Sequence, residues 1–250
     1  TSGVGYKRYP IVGPTNNDFY SMDWQKDKLA IASGRLNGKL PSFSTNGLHL
    51  FKNEEWSFHN VTTVDAWEDK NIWDFIDIAV NPVNTDEVAV SSYSEEPLSI
   101  FNNDSVELFN DLNSTLKFTS SGNGWSLVSG VSYDEYGNLW ALNGYTENPL
   151  NVKDTEGNWN SFDCGGSARN IYTKKLVIDF NNHLWFASSE KGLFGYNYNE
   201  SLTNSSDDQY IQLKTGSSQG NLPSDNVTAI AADFDGEIWI GTDAGFAILY

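Results

Sequence analysis

Residues 227–242 read Val-Thr-Ala-Ile-Ala-Ala-Asp-Phe-Asp-Gly-Glu-Ile-Trp-Ile-Gly-Thr. Apolar and small residues run up to Asp233, and a second apolar stretch opens with Ile238 and Trp239. Between them, Gly236 can adopt the positive φ that a tight turn needs, and the Asp233 carboxylate can accept backbone N–H groups of that turn. The stretch therefore predicts a β-hairpin whose second strand carries a Trp six residues after the Asp.

The same spacing of six residues between Asp and Trp recurs twice upstream. Asp134 precedes Trp140, and Asp179 precedes Trp185, with a Gly or Asn again inside the turn. Successive copies lie roughly 50 residues apart, and repeats of that length with several short strands each are typical of β-propeller blades. The Trp rings are predicted to fill the gaps between adjacent blades, because a large ring suits such an apolar gap.

We expect an all-β fold, a β-propeller of about five four-stranded blades that forms a single domain over residues 1–250. The predicted blades span residues 19–60, 72–110, 125–163, 172–215 and 224–250. The last repeat has only three strands, and residues 5–10 are the candidate for its fourth strand. Propellers commonly close by pairing strands from the two ends of the chain, because this removes an open sheet edge. The sequence therefore predicts closure by pairing of the N- and C-terminal strands.

Residues 221–246, which contain the first hairpin, resemble the two-component regulator propeller repeat of Bacteroidetes. They share its Leu-Pro-Ser lead, its Asp-x-x-Gly-x-Ile-Trp turn and its Gly-Thr-x-x-Gly ending. Residues 79–92, 133–140 and 205–210 are similar to a narrower group, the PorZ-like propellers associated with type IX secretion. The resemblance covers about residues 72–250. It implies export to the periplasm or cell surface and a role in sensing or partner docking, and it brings no catalytic residues.

The charge balance excludes several kinds of partner. The chain has 250 residues, with 15 Lys and Arg against 33 Asp and Glu, which gives a formal charge of −18. Such a chain repels phosphate groups, so we expect no nucleic-acid partner and no membrane insertion. Cys164 is the only cysteine, so no internal disulfide can form. The abrupt start and end of the chain indicate part of a larger protein.

No catalytic residue, metal site or cofactor is predicted. Residues 216–220 have the Gly-x-Ser-x-Gly spacing of a serine hydrolase, but that motif needs a helix after it, and Ser218 lies in a Ser/Gly-rich connector. Asp233 and Asp235 have the spacing of the first ligands of a calcium-binding loop, but the later ligands of such a loop are absent. The three histidines show no metal-binding spacing. Because no pair of carboxylates stands out, a carbohydrate-active enzyme is the least favoured function.

The ligand site is predicted on the face formed by the loops between strands two and three and by the connections between blades. Aromatic side chains beside cations are a usual lining for a sugar or a peptide. The predicted ligand-binding residues are Arg35, Trp67, Tyr93, Tyr145, Arg169 and Tyr172. We expect the arginines to bind an acidic sugar or another carboxylate while the tyrosine rings stack on it. The alternative is that the arginines only balance neighbouring glutamates.

Two functions remain open. The first is a non-catalytic binding propeller of an exported envelope protein, which docks a glycan or a protein partner. The second is the periplasmic sensing domain of a hybrid two-component regulator, which recognises a polysaccharide fragment. In addition, residues 104–106 read Asp-Ser-Val and fit a short O-glycosylation acceptor pattern of Bacteroidetes, which leaves modification of Ser105 open.

Overall fold

The structure is a computed structural model that describes residues 13–102, 105–119 and 124–250. Within these residues the chain forms five antiparallel sheets and one two-stranded ribbon. The helical segments of the described chain are two 3-10 turns, Asp65–Trp67 and Gly166–Ala168. The all-β prediction is confirmed.

Each sheet is one blade, and its strands adjoin in chain order. Blade 1 contains β1 (Ser21–Gln25), β2 (Lys28–Ala32), β5 (Leu48–Lys52) and β6 (Glu55–His59), with the ribbon β3 (Leu36–Asn37) and β4 (Leu40–Pro41) between β2 and β5. Blade 2 contains β7 (Asp77–Val80), β8 (Glu87–Ser91), β10 (Leu98–Asn102) and β11 (Ser105–Phe109). Between β8 and β10 lies the short strand β9 (Tyr93–Ser94).

The remaining blades repeat this order. Blade 3 contains β12 (Ser126–Tyr133), β13 (Leu139–Gly144), β14 (Leu150–Lys153) and β15 (Trp159–Phe162), and β9 pairs with its first strand. Blade 4 contains β16 (Thr173–Ile178), β17 (Leu184–Ser188), β18 (Gly192–Asn197) and β19 (Gln209–Leu213). Blade 5 contains β20 (Val227–Ala232), β21 (Ile238–Thr242) and β22 (Gly245–Leu249).

The repeated Asp holds each first hairpin together. Asp134 Oδ1 accepts the backbone N–H groups of Tyr136 and Asn138, and Asp134 Oδ2 accepts the indole N–H of Trp140 at 3.2 Å. The carboxylate-to-indole bond recurs at 2.9 Å in the pairs Asp179–Trp185 and Asp233–Trp239. The spacing of six residues therefore allows one carboxylate to bridge the turn and the second strand. In the last copy the turn also uses Gly236 at φ +88°.

The motif Trp residues lie between blades where a next blade is present. Trp140 is fully buried and its ring lies 4.9 Å from that of Tyr198 in blade 4. Trp185 belongs to the core that blade 4 shares with Val227 of blade 5. Trp239 is 44% exposed, because no strand of the described chain covers that side of blade 5. The predicted closing strand at residues 5–10 lies outside the described residues, so closure stays a prediction.

The first strands of the five blades, β1, β7, β12, β16 and β20, surround a central channel. They line two cavities, one at each end. The loop-side cavity has a volume of about 540 Å³ and includes Leu36 and Gly38 of the ribbon region. The turn-side cavity has a volume of about 600 Å³ and includes Phe180 and Phe234 of the first-hairpin turns.

A buried carboxylate ties four blades together where the two cavities meet. Asp77 of β7 is 1% exposed and accepts the Ser21 hydroxyl of blade 1 at 2.5 Å. Its second oxygen accepts the backbone N–H of Val131 in blade 3 at 3.0 Å. Lys175 of blade 4 completes the set with an Nζ to Oδ1 distance of 2.6 Å. These bonds fix the spacing of the inner strands.

Candidate functional site

The loop-side cavity is the candidate functional site, because side chains from all five blades line it. Its volume of about 540 Å³ lies in the range of small-ligand pockets. The polar part of the lining consists of Tyr20, Ser21, Asp77, Ser129, Tyr172, Thr173, Lys174, Lys175 and Thr228. This lining offers hydroxyl donors and two lysines, and Asp77 is its one carboxylate.

Three β-bulges direct side chains into this cavity. The pairing of the first two strands shifts by one residue at Ser129 in blade 3, at Lys175 in blade 4 and at Thr228 in blade 5. An extra residue interrupts the alternation of a strand and changes where its side chain points. In blade 4 the bulge lets Lys174 and Lys175 both line the cavity, which a regular strand would not allow.

The cations at the cavity differ in how they are compensated. Lys175 is paired with Asp77. Lys39, on the ribbon of blade 1, forms an ion pair with Glu190 of blade 4 and lies 5.7 Å above the ring of Tyr172. Lys174 has no carboxylate within 4.0 Å among the described residues, and its Nζ donates only a long bond of 3.4 Å to the Val227 carbonyl. Burial and the nearby charge of Lys39 lower the pKa of Lys174, against a weaker upward effect of Asp243.

The three predicted tyrosines lie close together beside the cavity. Tyr93, Tyr145 and Tyr172 belong to one cluster, and the rings of Tyr145 and Tyr172 lie 5.8 Å apart. Tyr172 lines the cavity directly. Burial raises the pKa of all three phenols, so each stays a neutral hydroxyl at physiological pH. Tyr20 adds a fourth phenol, whose pKa is raised by burial and by Asp77 and Asp74.

The loop at residues 33–47 extends over the mouth of the cavity. The buried carboxylate of Asp74 anchors it by accepting the backbone N–H groups of Ser42, Phe43 and Ser44 at 2.7 to 2.8 Å. The exposed Phe43 ring packs 5.1 Å from Trp73. At its other end, the loop reaches blade 4 through the ion pair of Lys39 with Glu190 described above. This loop therefore forms one wall of the site.

The other predicted site residues lie elsewhere. Trp67 is fully buried in the core between blades 1 and 2 and donates its indole N–H to Ser99, so its ring packs the core and does not face a ligand. Arg169 is exposed and forms ion pairs with Asp163 and Glu147. Arg35 is exposed on the loop and acts electrostatically on Asp74. Neither arginine lines the cavity.

Ser218, the three histidines and Cys164 lie outside the lining of both channel cavities. Ser218 is exposed in a turn that is followed by further turn and by β20, with no helix. None of the three histidines lines either channel cavity. Cys164 is buried, which raises the pKa of its thiol. No group of three or more His, Cys, Asp or Glu side chains within the described ranges could hold a metal ion.

Two of the remaining features concern the surface. Ser105 is exposed at the start of β11, and its hydroxyl donates to the Asn102 carbonyl. Asp104, the residue before it, lies outside the described residues. No helix in the described part of the chain is long and apolar enough to cross a membrane.

Comparison with known proteins supports the fold and the repeat. Residues 221–244 match the two-component regulator propeller family. The resemblance found in the sequence is thereby confirmed. No curated protein matches the chain in sequence.

Several solved structures share the architecture. PorZ, a surface component of the type IX secretion system of Porphyromonas gingivalis, is 22% identical over 98% of this chain and 34% of its own, with a TM-score of 0.83. The extracellular domain of a hybrid two-component system from B. thetaiotaomicron is 18% identical over 95% of this chain and 28% of its own, with a TM-score of 0.65. A streptogramin B lyase is 11% identical over 95% of this chain and 70% of its own, with a TM-score of 0.61.

These similarities establish the propeller fold. The chain spans about one third of the length of the first of these proteins and less of the second. The first relative is a bacterial surface component and the second is an extracellular domain, so the fold is shared with proteins that work outside the cytoplasm.

The cationic part of the site was missed from sequence, although a signal was present. Lys174 and Lys175 are adjacent in the first strand of blade 4, which the repeat places at the channel. Two neighbouring lysines at the start of an inner strand are unusual, because one of them would face the packed gap between blades. That conflict is the sequence signal of the bulge that brings both to the cavity.

Proposed function

We propose that this propeller is a non-catalytic binding module of an exported envelope protein. It binds an acidic saccharide at the loop-side cavity. The observation that carries this proposal is Lys174, a partly buried cation that lines a hydroxyl-rich cavity without a carboxylate partner among the described residues. A partly buried cation is more stable when an anion neutralises it, so a ligand carboxylate would find a charge-assisted donor there.

The rest of the lining suits a sugar. The exposed hydroxyl groups of Tyr20 and Thr228 can hydrogen-bond sugar hydroxyls, and the ring of Tyr172 adds an aromatic group to the lining. The hydroxyls of Ser129 and Thr173 bond to each other at 2.7 Å. A cavity of about 540 Å³ accepts one or two sugar residues rather than a protein domain. A carboxylate-bearing saccharide, such as a uronic acid, therefore fits the charge and the size together.

A binding role is favoured over an enzymatic one. Acid–base chemistry on a sugar needs two carboxylates that flank the scissile bond. The loop-side cavity has one, Asp77, and Lys175, Ser21 and Val131 already occupy its oxygens. In the structural relative virginiamycin B lyase, a histidine-to-alanine variant is catalytically inactive, whereas no histidine of this chain lines the channel.

The second candidate function is ligand sensing in a hybrid two-component system. It is favoured by the propeller repeat at residues 221–244 and by the similarity to an extracellular domain of such a system. Both candidates use the same cavity and differ in what adjoins the domain in its gene. A membrane helix and a kinase would favour the sensor, and a small β domain would favour the secretion component.

Calorimetric titration of the 250-residue chain with galacturonic-acid disaccharide, and with the neutral galactose disaccharide, tests the binding proposal. We expect binding of the acidic sugar only. Lys174→Met should weaken that binding at least tenfold, whereas the control Lys191→Met, which removes an exposed lysine outside the cavity lining, should leave it unchanged. Equal binding by both variants, or preference for the neutral sugar, would contradict the proposal.

The pH dependence gives an independent check. Because burial and Lys39 lower the pKa of Lys174, its charge is present below that lowered pKa and is lost as the pH rises through it. Binding of the acidic sugar should therefore weaken on the alkaline side, at a lower pH than an exposed lysine would give. Lys39→Met removes one cause of the lowered pKa and should shift this loss to higher pH in the same titration.

A further inference from the structure

The opposite end of the channel has a repeated surface feature that the turns do not need. The connection between the first and second strands displays one large apolar side chain that is more than half exposed in each of blades 2 to 5. We call this set the turn crown. Its members, in blade order, are Val83, Tyr136, Phe180 and Phe234.

The turns between first and second strands, which carry the crown in blades 2 to 5, contact one another. Lys26 Nζ of the first turn donates to the Pro82 carbonyl of the second at 2.8 Å. In the third turn, Gly137 lies against the Val83 side chain. Asn182 of the fourth turn donates to Glu135 of the third at 2.9 Å. The fourth and fifth turns meet at the turn-side cavity, which Phe180 and Phe234 both line. The crown is thus a row of neighbouring turns beside a cavity of about 600 Å³, which Phe180 and Phe234 line.

The exposure of Tyr136 and Phe180 is not caused by an uncovered blade. Tyr136 and Phe180 belong to blades 3 and 4, which have neighbours on both sides, and they are still 54% and 81% exposed. The turns themselves are held by the motif Asp carboxylates and by backbone bonds, in which the apolar side chains take no part. Contiguous exposed apolar side chains with a polar rim are typical of interaction surfaces.

The rim of the crown is acidic. Its carboxylates without a lysine or arginine within 4.0 Å, among the residues that the structure describes, include Glu135, Glu200, Asp235 and Glu237. Among the lysines at the same end, Lys28 and Lys52 pair with Asp86, and Lys26 donates to the Pro82 carbonyl. Negative charge around Tyr136, Glu135 first, raises the pKa of its phenol. The field at this end of the channel therefore attracts cations.

We propose that the turn crown docks a basic polypeptide segment of a partner protein, one that combines Lys or Arg with apolar side chains. The acidic rim disfavours a second copy of this chain, because two such faces would repel each other. The crown side chains stand on separate protruding turns, so they suit spaced apolar side chains of a peptide better than the flat face of a single sugar ring. This interaction is separate from saccharide binding, since it uses the other end of the channel.

Selection from a random 12-residue peptide library displayed on phage, with the 250-residue chain immobilised, tests this inference. We expect enriched peptides that combine basic with Leu, Phe or Trp residues. The double variant Phe180→Ser/Phe234→Ser removes the two most exposed crown residues, and it should weaken the enriched peptides at least tenfold in fluorescence anisotropy. The matched control Leu112→Ser changes a residue that is 88% exposed in a connection between blades at the loop side, and should have no effect.

The contribution of the acidic rim to peptide binding is tested with a second pair of variants. Asp235→Asn/Glu237→Gln should weaken peptide binding and reduce its dependence on salt, whereas Glu68→Gln, an exposed loop-side change, should do neither. Enrichment of non-basic peptides, no enrichment, or equal binding by the crown variant would overturn the inference. If sedimentation velocity shows a dimer that the crown variant no longer forms, the crown binds a second copy of this chain and the inference is wrong. If the crown is needed for binding of a neutral glycan, the occupant is a glycan and the inference is also wrong.

Discussion

At the scale of single residues, the motif Asp has a more demanding role than turn formation. Its carboxylate satisfies two backbone N–H groups and the indole N–H of a Trp that lies between blades. A buried indole N–H without a partner costs free energy, because it has lost its bond to water. The Asp therefore couples the local turn to the packing between blades. This coupling explains why the Asp and the Trp are always six residues apart in the three motif copies.

The cost of losing this carboxylate should depend on how buried its Trp is. Asp134→Ala leaves the fully buried Trp140 N–H unpaired, and we expect a loss of about 2–4 kcal/mol in the free energy of unfolding. Asp233→Ala is the matched comparison, since Trp239 is 44% exposed and water can replace the carboxylate. Urea unfolding followed by Trp fluorescence measures both. A larger loss in Asp233→Ala than in Asp134→Ala would contradict the explanation.

At the scale of elements, the bulged inner strands combine close packing with a functional lining. Gly130 follows the bulge of β12, where a Cβ would lie 2.6 Å from the backbone nitrogen of Leu176 in β16. Blades 3 and 4 can approach this closely only because no side chain intervenes. The same region of β16 carries Lys174 and Lys175. The strand that packs closely against β12 thus also supplies two lysines of the site.

Gly130→Ala should destabilise the protein by about 1–3 kcal/mol, because backbone atoms must move to accept the methyl group. The matched control is Gly241→Ala in β21, where the nearest atom to a new Cβ is 3.5 Å away. It should be neutral within about 0.5 kcal/mol in thermal unfolding. Equal effects of the two substitutions would mean that the approach of β12 to β16 is not constrained as described.

The elements could be predicted from sequence far better than the site. The hairpins are local, since the Asp, the turn residue and the Trp lie within seven positions and leave a visible repeat. Tyr145 and Tyr172 could be predicted to lie on the same face because both occur in loops of that face. By contrast, the ion pair of Arg169 with Asp163 depends on a loop conformation, and the position of Lys174 at the cavity depends on a bulge. Neither feature leaves a repeated pattern in the sequence.

At the scale of the whole molecule, the two ends of the channel carry different charged groups. The turn side has carboxylates such as Glu135 without a cationic partner in the described chain, and the loop side has Lys174 without a carboxylate partner there. The Asp77 and Lys175 pair lies between the two cavities, with bonds to blades 1 and 3. Because this pair joins four blades, it should make their unfolding cooperative.

A double-mutant cycle at this pair tests that expectation. Lys175→Met leaves the buried Asp77 carboxylate without its cation and should cost about 2–4 kcal/mol, less than for a fully buried pair because the lysine side chain is 40% exposed. Asp77→Asn added to Lys175→Met removes the unpaired charge while keeping an acceptor for the Val131 N–H, so it should restore at least half of the loss. Urea unfolding monitored by Trp fluorescence and by circular dichroism should give coincident transitions for the wild type and separated ones for Lys175→Met. If the double variant is less stable than Lys175→Met alone, the pair does not act as a coupled charge at the centre of the propeller.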